Sequence, residues 1–173
     1  MPGTVCHISV AGNLDPERYL PLALELLGDA VELTALSMFY RTAALCRPEQ
    51  PDYLNGVAAA RFDGDPRTLK TDVLRVIETQ LGRVRGTDRC AARTIDLDLL
   101  LFGGVVMDEE GLVLPDPDLW RRPFLAAAVL ELDPDIVVPG TGRPLRELAD
   151  MNAAARLKPA REFTRAALER LGL

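Results

Sequence analysis

From Thr94 to Phe102 the chain reads Thr-Ile-Asp-Leu-Asp-Leu-Leu-Leu-Phe, and no other run restricts the fold as much. Aspartate and leucine alternate with a period of two, which suits a strand and not a helix. As a strand, the run places Asp96 and Asp98 on one face, ~6.5–7 Å apart along the chain. Leu97, Leu99 and Leu101 are expected on the other face, turned into a core.

The surrounding pattern supplies partners for that strand. Val5 to Val10 is apolar and ends at Ala11-Gly12-Asn13, a turn signal. Asp15-Pro16 then opens a helix, with Leu20, Leu24 and Leu27 at helical spacing. Pro21 inside it predicts a kink or a late start. Glu32 to Tyr40 reads as a second strand, Arg41 to Asp52 as a loop and Tyr53 to Phe62 as a third strand. Asp65-Pro66 repeats the helix-start signal, and Leu69, Val73, Leu74, Ile77 and Leu81 form its apolar stripe. Short edge pieces are expected at Val105-Val106 and Leu112 to Leu114. Helices are expected over Arg122 to Leu132 and Pro159 to Leu171. The order strand, helix, strand, strand, helix, strand predicts an α+β fold: a ferredoxin-like antiparallel sheet with helices on one face. A C-terminal helical extension from about residue 146 completes a single domain over residues 1–173.

Composition removes several function classes. The net charge of −6 does not suit a duplex nucleic-acid binder or an anionic-membrane binder. No apolar run approaches a membrane span, and the N-terminus has no signal-peptide pattern, so a cytoplasmic chain is expected. A monomer is favoured. Cys6, Cys46 and Cys90 are odd in number and lack CxxC spacing, which argues against a disulfide framework and against a zinc site.

Charge is concentrated where the carboxylates are. Arg83, Arg85, Arg89 and Arg93 precede the aspartate strand, opposed only by Asp88. A cationic loop leading into an acidic strand suits a metal–polyphosphate complex, with carboxylates on the cations and arginines on the remaining oxygens. The spacing of Asp96 and Asp98 suits one Mg²⁺, or a pair bridged by phosphate. A solvated strand face is the alternative. No Walker loop or Gly-rich dinucleotide fingerprint is present, so side chains and metal must hold any nucleotide. Glu78 sits at the edge of an apolar helical stripe and requires a partner, either an arginine of the next loop or a ligand. Tyr53 and Asn55 share a strand face, offering a ring to stack on and an amide to pair with a heterocycle edge. His7, the only histidine, reads as structural.

These segments together resemble the hydroxymethyl-dihydropterin pyrophosphokinase family. The stretch Arg93-Thr94-Ile95-Asp96-Leu97-Asp98 is close to that family's R-x-x-D-[LIV]-D signature. Phe39-Tyr40-Arg41-Thr42, Gln50-Pro51-Asp52-Tyr53-Leu54-Asn55 and Gly82-Arg83-Val84-Arg85 match in the same order, and the similarity runs from about His7 to Leu145. The resemblance implies pyrophosphate transfer from the co-substrate ATP to 6-hydroxymethyl-7,8-dihydropterin, with release of AMP. It implies Asp96 and Asp98 as ligands of two Mg²⁺ ions, and Arg93 with them as catalytic. A pterin pocket of Thr42, Leu45, Tyr53, Asn55 and Phe124 is implied, as is ATP contact by Glu78, Arg85, Arg93, Asp116 and Arg122. Loops around residues 43–51 and 83–92 would close over the site.

The sequence departs from the family pattern mainly on the ATP side. Asp116 follows Pro115 where the family has histidine, Gly111 stands for an arginine, Arg75 for a glutamine, Cys90 for a tryptophan and Ala43 for a proline. Two function classes therefore stand: an active pyrophosphokinase, and a divergent relative that binds a pterin or nucleotide without this activity.

Overall fold

A computed structural model describes residues 3–45, 47–88 and 90–173. Cys46 and Arg89, part of the expected cysteine and arginine sets, lie outside the described residues. The chain opens with β1 (Thr4–Gly12), α1 (Pro16–Ala30), β2 (Glu32–Leu36), β3 (Tyr40–Thr42) and β4 (Tyr53–Phe62). A helical stretch follows in three parts: α2 (Pro66–Thr68), a wider π-helical segment over Leu69–Leu74, and α3 (Arg75–Gln80). Then come β5 (Asp96–Phe102), the hairpin β6 (Met107–Glu109) and β7 (Leu112–Leu114), α4 (Asp118–Arg121) and α5 (Pro123–Leu132). The last part holds the small pair β8 (Val137–Val138) and β9 (Arg143–Pro144), α6 (Leu145–Leu148), α7 (Met151–Ala154), β10 (Lys158–Pro159) and α8 (Arg161–Leu171).

The main sheet is antiparallel in the order β10-β3-β4-β1-β5, with β2 also on β4. The single strand expected over Glu32–Tyr40 is instead two. At the break, Ser37 N–H donates to the Val57 carbonyl at 2.9 Å, and the Ser37 hydroxyl accepts the Val57 N–H at 2.9 Å. One side chain thus satisfies the ladder where the backbone leaves it. Phe39 then packs on Gly56, where an added Cβ would stand 2.7 Å from the ring. Pro21 lies inside α1, which runs from Pro16 to Ala30 with no late start. Asp15 adopts a left-handed backbone (φ 47°) and makes no side-chain cap there, whereas Asp65 accepts Arg67 and Thr68 N–H as expected of an N-cap.

Helices cover both faces of the sheet, not one. Cys6, Ile8, Val10, Leu54, Leu97 and Leu99 pack with α1, the Leu69–Leu74 segment and Ala167 of α8. Val57, Leu100 and Leu101 pack on the opposite side with Leu125, Ala126 and Val129 of α5. The switch comes from an irregularity in the β1–β5 register: His7 faces Leu101 but Ile8 faces Leu99, so Leu100 is an extra residue. Beyond this bulge Leu101 changes face, against the simple alternation expected of the strand. Asp96 and Asp98, ahead of the bulge, lie on the α5 side of the sheet.

Candidate active site

Three strands bring the polar face together. Across β1, Ala11 pairs with Asn55 on one side and Asp96 on the other, while Ser9 pairs with Val57 and Asp98. Thr42 pairs with Tyr53 on the next strand. Asn55, Ala11 and Asp96 thus form one transverse row, with the amide and the carboxylate roughly 10 Å apart across β1. The Asn55 amide donates to the Thr42 hydroxyl at 2.9 Å, which fixes its rotamer.

This face opens on a cavity of about 560 Å³. Its walls include Thr42, Leu45, Tyr53 and Asn55 on one flank, and Arg93, Asp96 and Asp98 on the other. Arg122 and Phe124, at the start of α5, close the third side. Nine of the residues expected at the site therefore line one volume. Ala153 and Leu157 from the C-terminal part complete the wall, a contribution no motif announced. Burial pushes the Tyr53 phenol above its ordinary range, so the hydroxyl stays neutral beside Arg93.

Glu78, Arg85 and Asp116 do not line that cavity. Glu78 is 1% exposed and accepts from Arg83, from Arg85 and from the Leu97 N–H. Of the two partners open for it in the sequence, the arginines of the next loop are the ones it has. Arg83 also donates to Asp96 and, at 3.2 Å, to the Ile95 carbonyl. Arg93 donates to Asp96 from the other side. Arg83 was visible in the sequence as a member of a charged cluster and of a family-matching segment, without a role; here it joins the buried glutamate to the strand carboxylate.

Asp98 has a different counter-ion, the Lys70 ammonium from the π-helical segment. Burial opposes its ionisation, but Lys70 and then Arg83 and Arg85 outweigh burial and hold its carboxyl below the usual range. Lys70 carried no sequence signal beyond its place beside an apolar helical stripe. Asp116 N–H donates to the Leu100 carbonyl at 2.9 Å, and its carboxylate accepts the Asp118 N–H at 2.8 Å. Burial first, then the charges of Asp98 and Asp118, push the Asp116 carboxyl up.

The donor set fits magnesium carried by a polyphosphate. Asp96 and Asp98 supply two hard oxygens on one face, and Asp98, 44% exposed, looks into the cavity. Among the described residues no group of three or more metal-ligating side chains assembles. Mg²⁺ binds proteins in this way, through one or two carboxylates with substrate phosphates and water filling the rest of the octahedron.

At the rim, Gln50 donates to the Cys90 carbonyl at 2.9 Å and Arg47 pairs with Asp88 at 2.6 Å, so the two expected loops touch. Cys90 is disulfide-bonded, a bond that the sequence argument against a disulfide framework did not anticipate. Cys6 is buried and free, and burial pushes its thiol up to about 12. His7 is buried in β1, as expected of a structural residue.

The family model of 7,8-dihydro-6-hydroxymethylpterin-pyrophosphokinase matches residues 7–134. A 2-amino-4-hydroxy-6-hydroxymethyldihydropteridine pyrophosphokinase of Haemophilus influenzae is 35% identical over 138 residues, covering 78% of this chain and 85% of its own. The enzyme of the same name from Pseudomonas aeruginosa is 36% identical over 145 residues, covering 82% and 88%. That from Synechocystis is 32% identical over 151 residues, covering 84% and 76%.

Proposed function

Since the chain belongs to the 7,8-dihydro-6-hydroxymethylpterin-pyrophosphokinase family, we propose that its carboxylate pair and the ring-lined cavity beside it form one transfer site. The chain is a pyrophosphokinase, and it moves pyrophosphate from ATP to the hydroxymethyl group of 6-hydroxymethyl-7,8-dihydropterin, releasing AMP. The observation that supports the site is the row Asn55–Ala11–Asp96, which sets an amide for a heterocycle and a carboxylate for a cation on one face, opening on one cavity.

On this reading the pterin lies between Tyr53 and Phe124, its amide edge on Asn55 and its rim against Thr42 and Leu45. The hydroxymethyl oxygen then points toward Asp96 and Asp98, which would hold two Mg²⁺ ions brought with ATP. Bound there, the ions would offset charge on the transferring phosphates. Arg93 and Arg122 lie at the cavity wall and reach phosphate oxygens; Arg85, itself exposed but paired with the buried Glu78, is a third candidate. Glu78 acts here through Arg83, holding the guanidinium that fixes Asp96. Asp116 adjoins the nucleotide's side of Asp98. Positioning and charge neutralisation do the work, with no covalent step on the protein.

The fold reading belongs to the same proposal. The strand order fits a ferredoxin-like arrangement within one domain over residues 1–173, to which residues from about 146 add a C-terminal extension. The enzyme would work in the cytoplasm as a monomer on small molecules, with no nucleic-acid partner; no described helix is long and apolar enough to cross a membrane.

The test is direct. The protein is incubated with Mg-ATP and hydroxymethyl-dihydropterin, and AMP is measured. AMP should form only when the pterin is present. ATP and pterin binding without AMP would instead favour the non-catalytic relative that Asp116 and Gly111 suggest.

A further inference from the structure

Asp98 already holds a cation. The Lys70 ammonium donates to Asp98 Oδ1, and among the described residues this is its only hydrogen bond. The lysine side chain is 12% exposed and the carboxylate 44%, so the ammonium reaches Asp98 from the protein side while the carboxylate looks outward. Asp96 is held otherwise: its partner Arg83 is also bound to Glu78 and to the Ile95 carbonyl. Arg83 cannot leave without undoing a buried knot. Lys70 has one hydrogen bond among the described residues, and its flexible four-carbon stem carries a compact, strongly hydrated point charge that can move as a unit.

The backbone beneath Lys70 is unusual as well. It lies in the wide helical turn over Leu69–Leu74, where the Arg75 N–H closes on the Lys70 carbonyl. Such turns occur mostly as local insertions and often at functional positions.

We propose that Lys70 is a resident stand-in for the divalent ion at Asp98, displaced only when metal and polyphosphate arrive together. The inference rests on the metal assignment made under Proposed function. A divalent ion and an ammonium on one carboxylate oxygen repel each other. Metal alone must expel Lys70 and brings no anion to receive it. Metal carried by a triphosphate brings oxygens enough for both cations. Metal and nucleotide binding are thereby coupled, and by linkage each tightens the other by the same factor. Lys70 is thus a positioning residue that guards Asp98 against metal without substrate.

The probe is Mn²⁺, its free form read by paramagnetic resonance. It is titrated onto the full nucleotide-free chain and again with α,β-methylene ATP, whose α–β bridge the enzyme cannot cleave. Wild type should bind Mn²⁺ weakly alone and much more tightly with the analogue. Lys70→Met should tighten nucleotide-free binding about tenfold and shrink the effect of the analogue by the same factor. Lys70→Gln should behave alike, which keeps the test decisive if one variant misfolds. Unchanged or weaker nucleotide-free binding in the folded variants overturns the stand-in role and leaves Lys70 a structural ion pair. Asp98→Asn separates the two claims. If it binds Mn²⁺ with the analogue as well as wild type does, the metal assignment itself fails and the stand-in role with it. If it binds less well while the Lys70 variants match wild type, only the stand-in role falls.

Discussion

Asn13 and Arg93 hold each other through reciprocal bonds: the Asn13 carboxamide oxygen accepts the Arg93 N–H at 2.7 Å, and the Arg93 carbonyl accepts the Asn13 N–H at 2.9 Å. Arg93 reaches Asp96 three residues on. The end of β1 is in this way tied to the start of the carboxylate strand. Gly12 lets the two segments approach, since a Cβ there would stand 2.5 Å from the Thr94 carbonyl oxygen. Asn13 is buried, and its amide also donates to Gln50 and to the Pro51 carbonyl. Asn13→Ala removes the side-chain acceptor of the Arg93 N–H and the donor to Gln50 and Pro51, and should cost about 1–3 kcal/mol, read by denaturant melts. Because Arg93 and Gln50 both lose a restraint, turnover should fall more than stability implies.

Asp96→Asn should lower AMP formation by several orders of magnitude. Two like carboxylates alone would have left stability untouched or improved. The structure gives a different expectation, since Arg83 and Arg93 both pair with Asp96. Removing that charge should destabilise the fold by about 1–3 kcal/mol, measured by urea unfolding. Full activity in the variant would remove Asp96 from the site.

Glu78→Gln tests the buried knot. The carboxylate is nearly inaccessible and answers two arginines and a backbone N–H. Breaking such a pair from one side leaves uncompensated charge and should cost about 3–5 kcal/mol in a thermal or urea melt. Nucleotide affinity should drop as a consequence, through loss of the fixed Arg83. A variant of wild-type stability but weakened ATP binding would point instead to direct contact with the nucleotide.

Phe124→Ala should weaken pterin binding by about 1–3 kcal/mol in calorimetry, the range measured for stacked bases on aromatic rings. ATP binding should change little, because Phe124 is an uncharged ring at the start of α5 and offers nothing to the phosphates. Equal losses for both ligands would indicate a packing defect at the start of α5.

Asp116 gives a pH signature. Its folded carboxyl titrates above the ordinary value because burial, and then the charge of Asp98, disfavour the anion. A raised folded value means that the folded state takes the proton more readily than the unfolded chain. Its stabilising contribution is present in acid and is lost as pH rises through the folded value. Asp116→Asn keeps an oxygen for the Asp118 N–H and removes the buried charge. It should raise the melting temperature at pH 7, and the gain should vanish below the ordinary carboxylate range. A gain independent of pH would assign the effect to something other than ionisation.

Much of this was legible in the chain because period-two and period-3.6 patterns report burial directly. Tyr53–Phe62 appears as a strand over the bounds expected, and Asp96 and Asp98 share a face as their spacing requires. The failures have physical causes. Leu101 changes face because Leu100 is an inserted residue, and periodicity cannot show which residue of an apolar run bulges out. The second face of helices was missed because Val57, Leu100 and Leu101 look like any other buried residues in sequence. Lys70 was missed because its partner is on a strand 28 residues away, and nothing local signals that contact.

The short strand β10 also shapes how the protein meets its neighbours in a crowded solution. Lys158 and Pro159 pair with Arg41 and Tyr40, so the margin of the sheet beside the cavity is occupied by the chain's own tail. Proline has no N–H to offer an incoming strand, and lysine presents a charge to it. The tail therefore acts as a hem, keeping that margin from recruiting a second molecule edge to edge. A chain cut before residue 158 would expose β3 and should self-associate as its concentration rises.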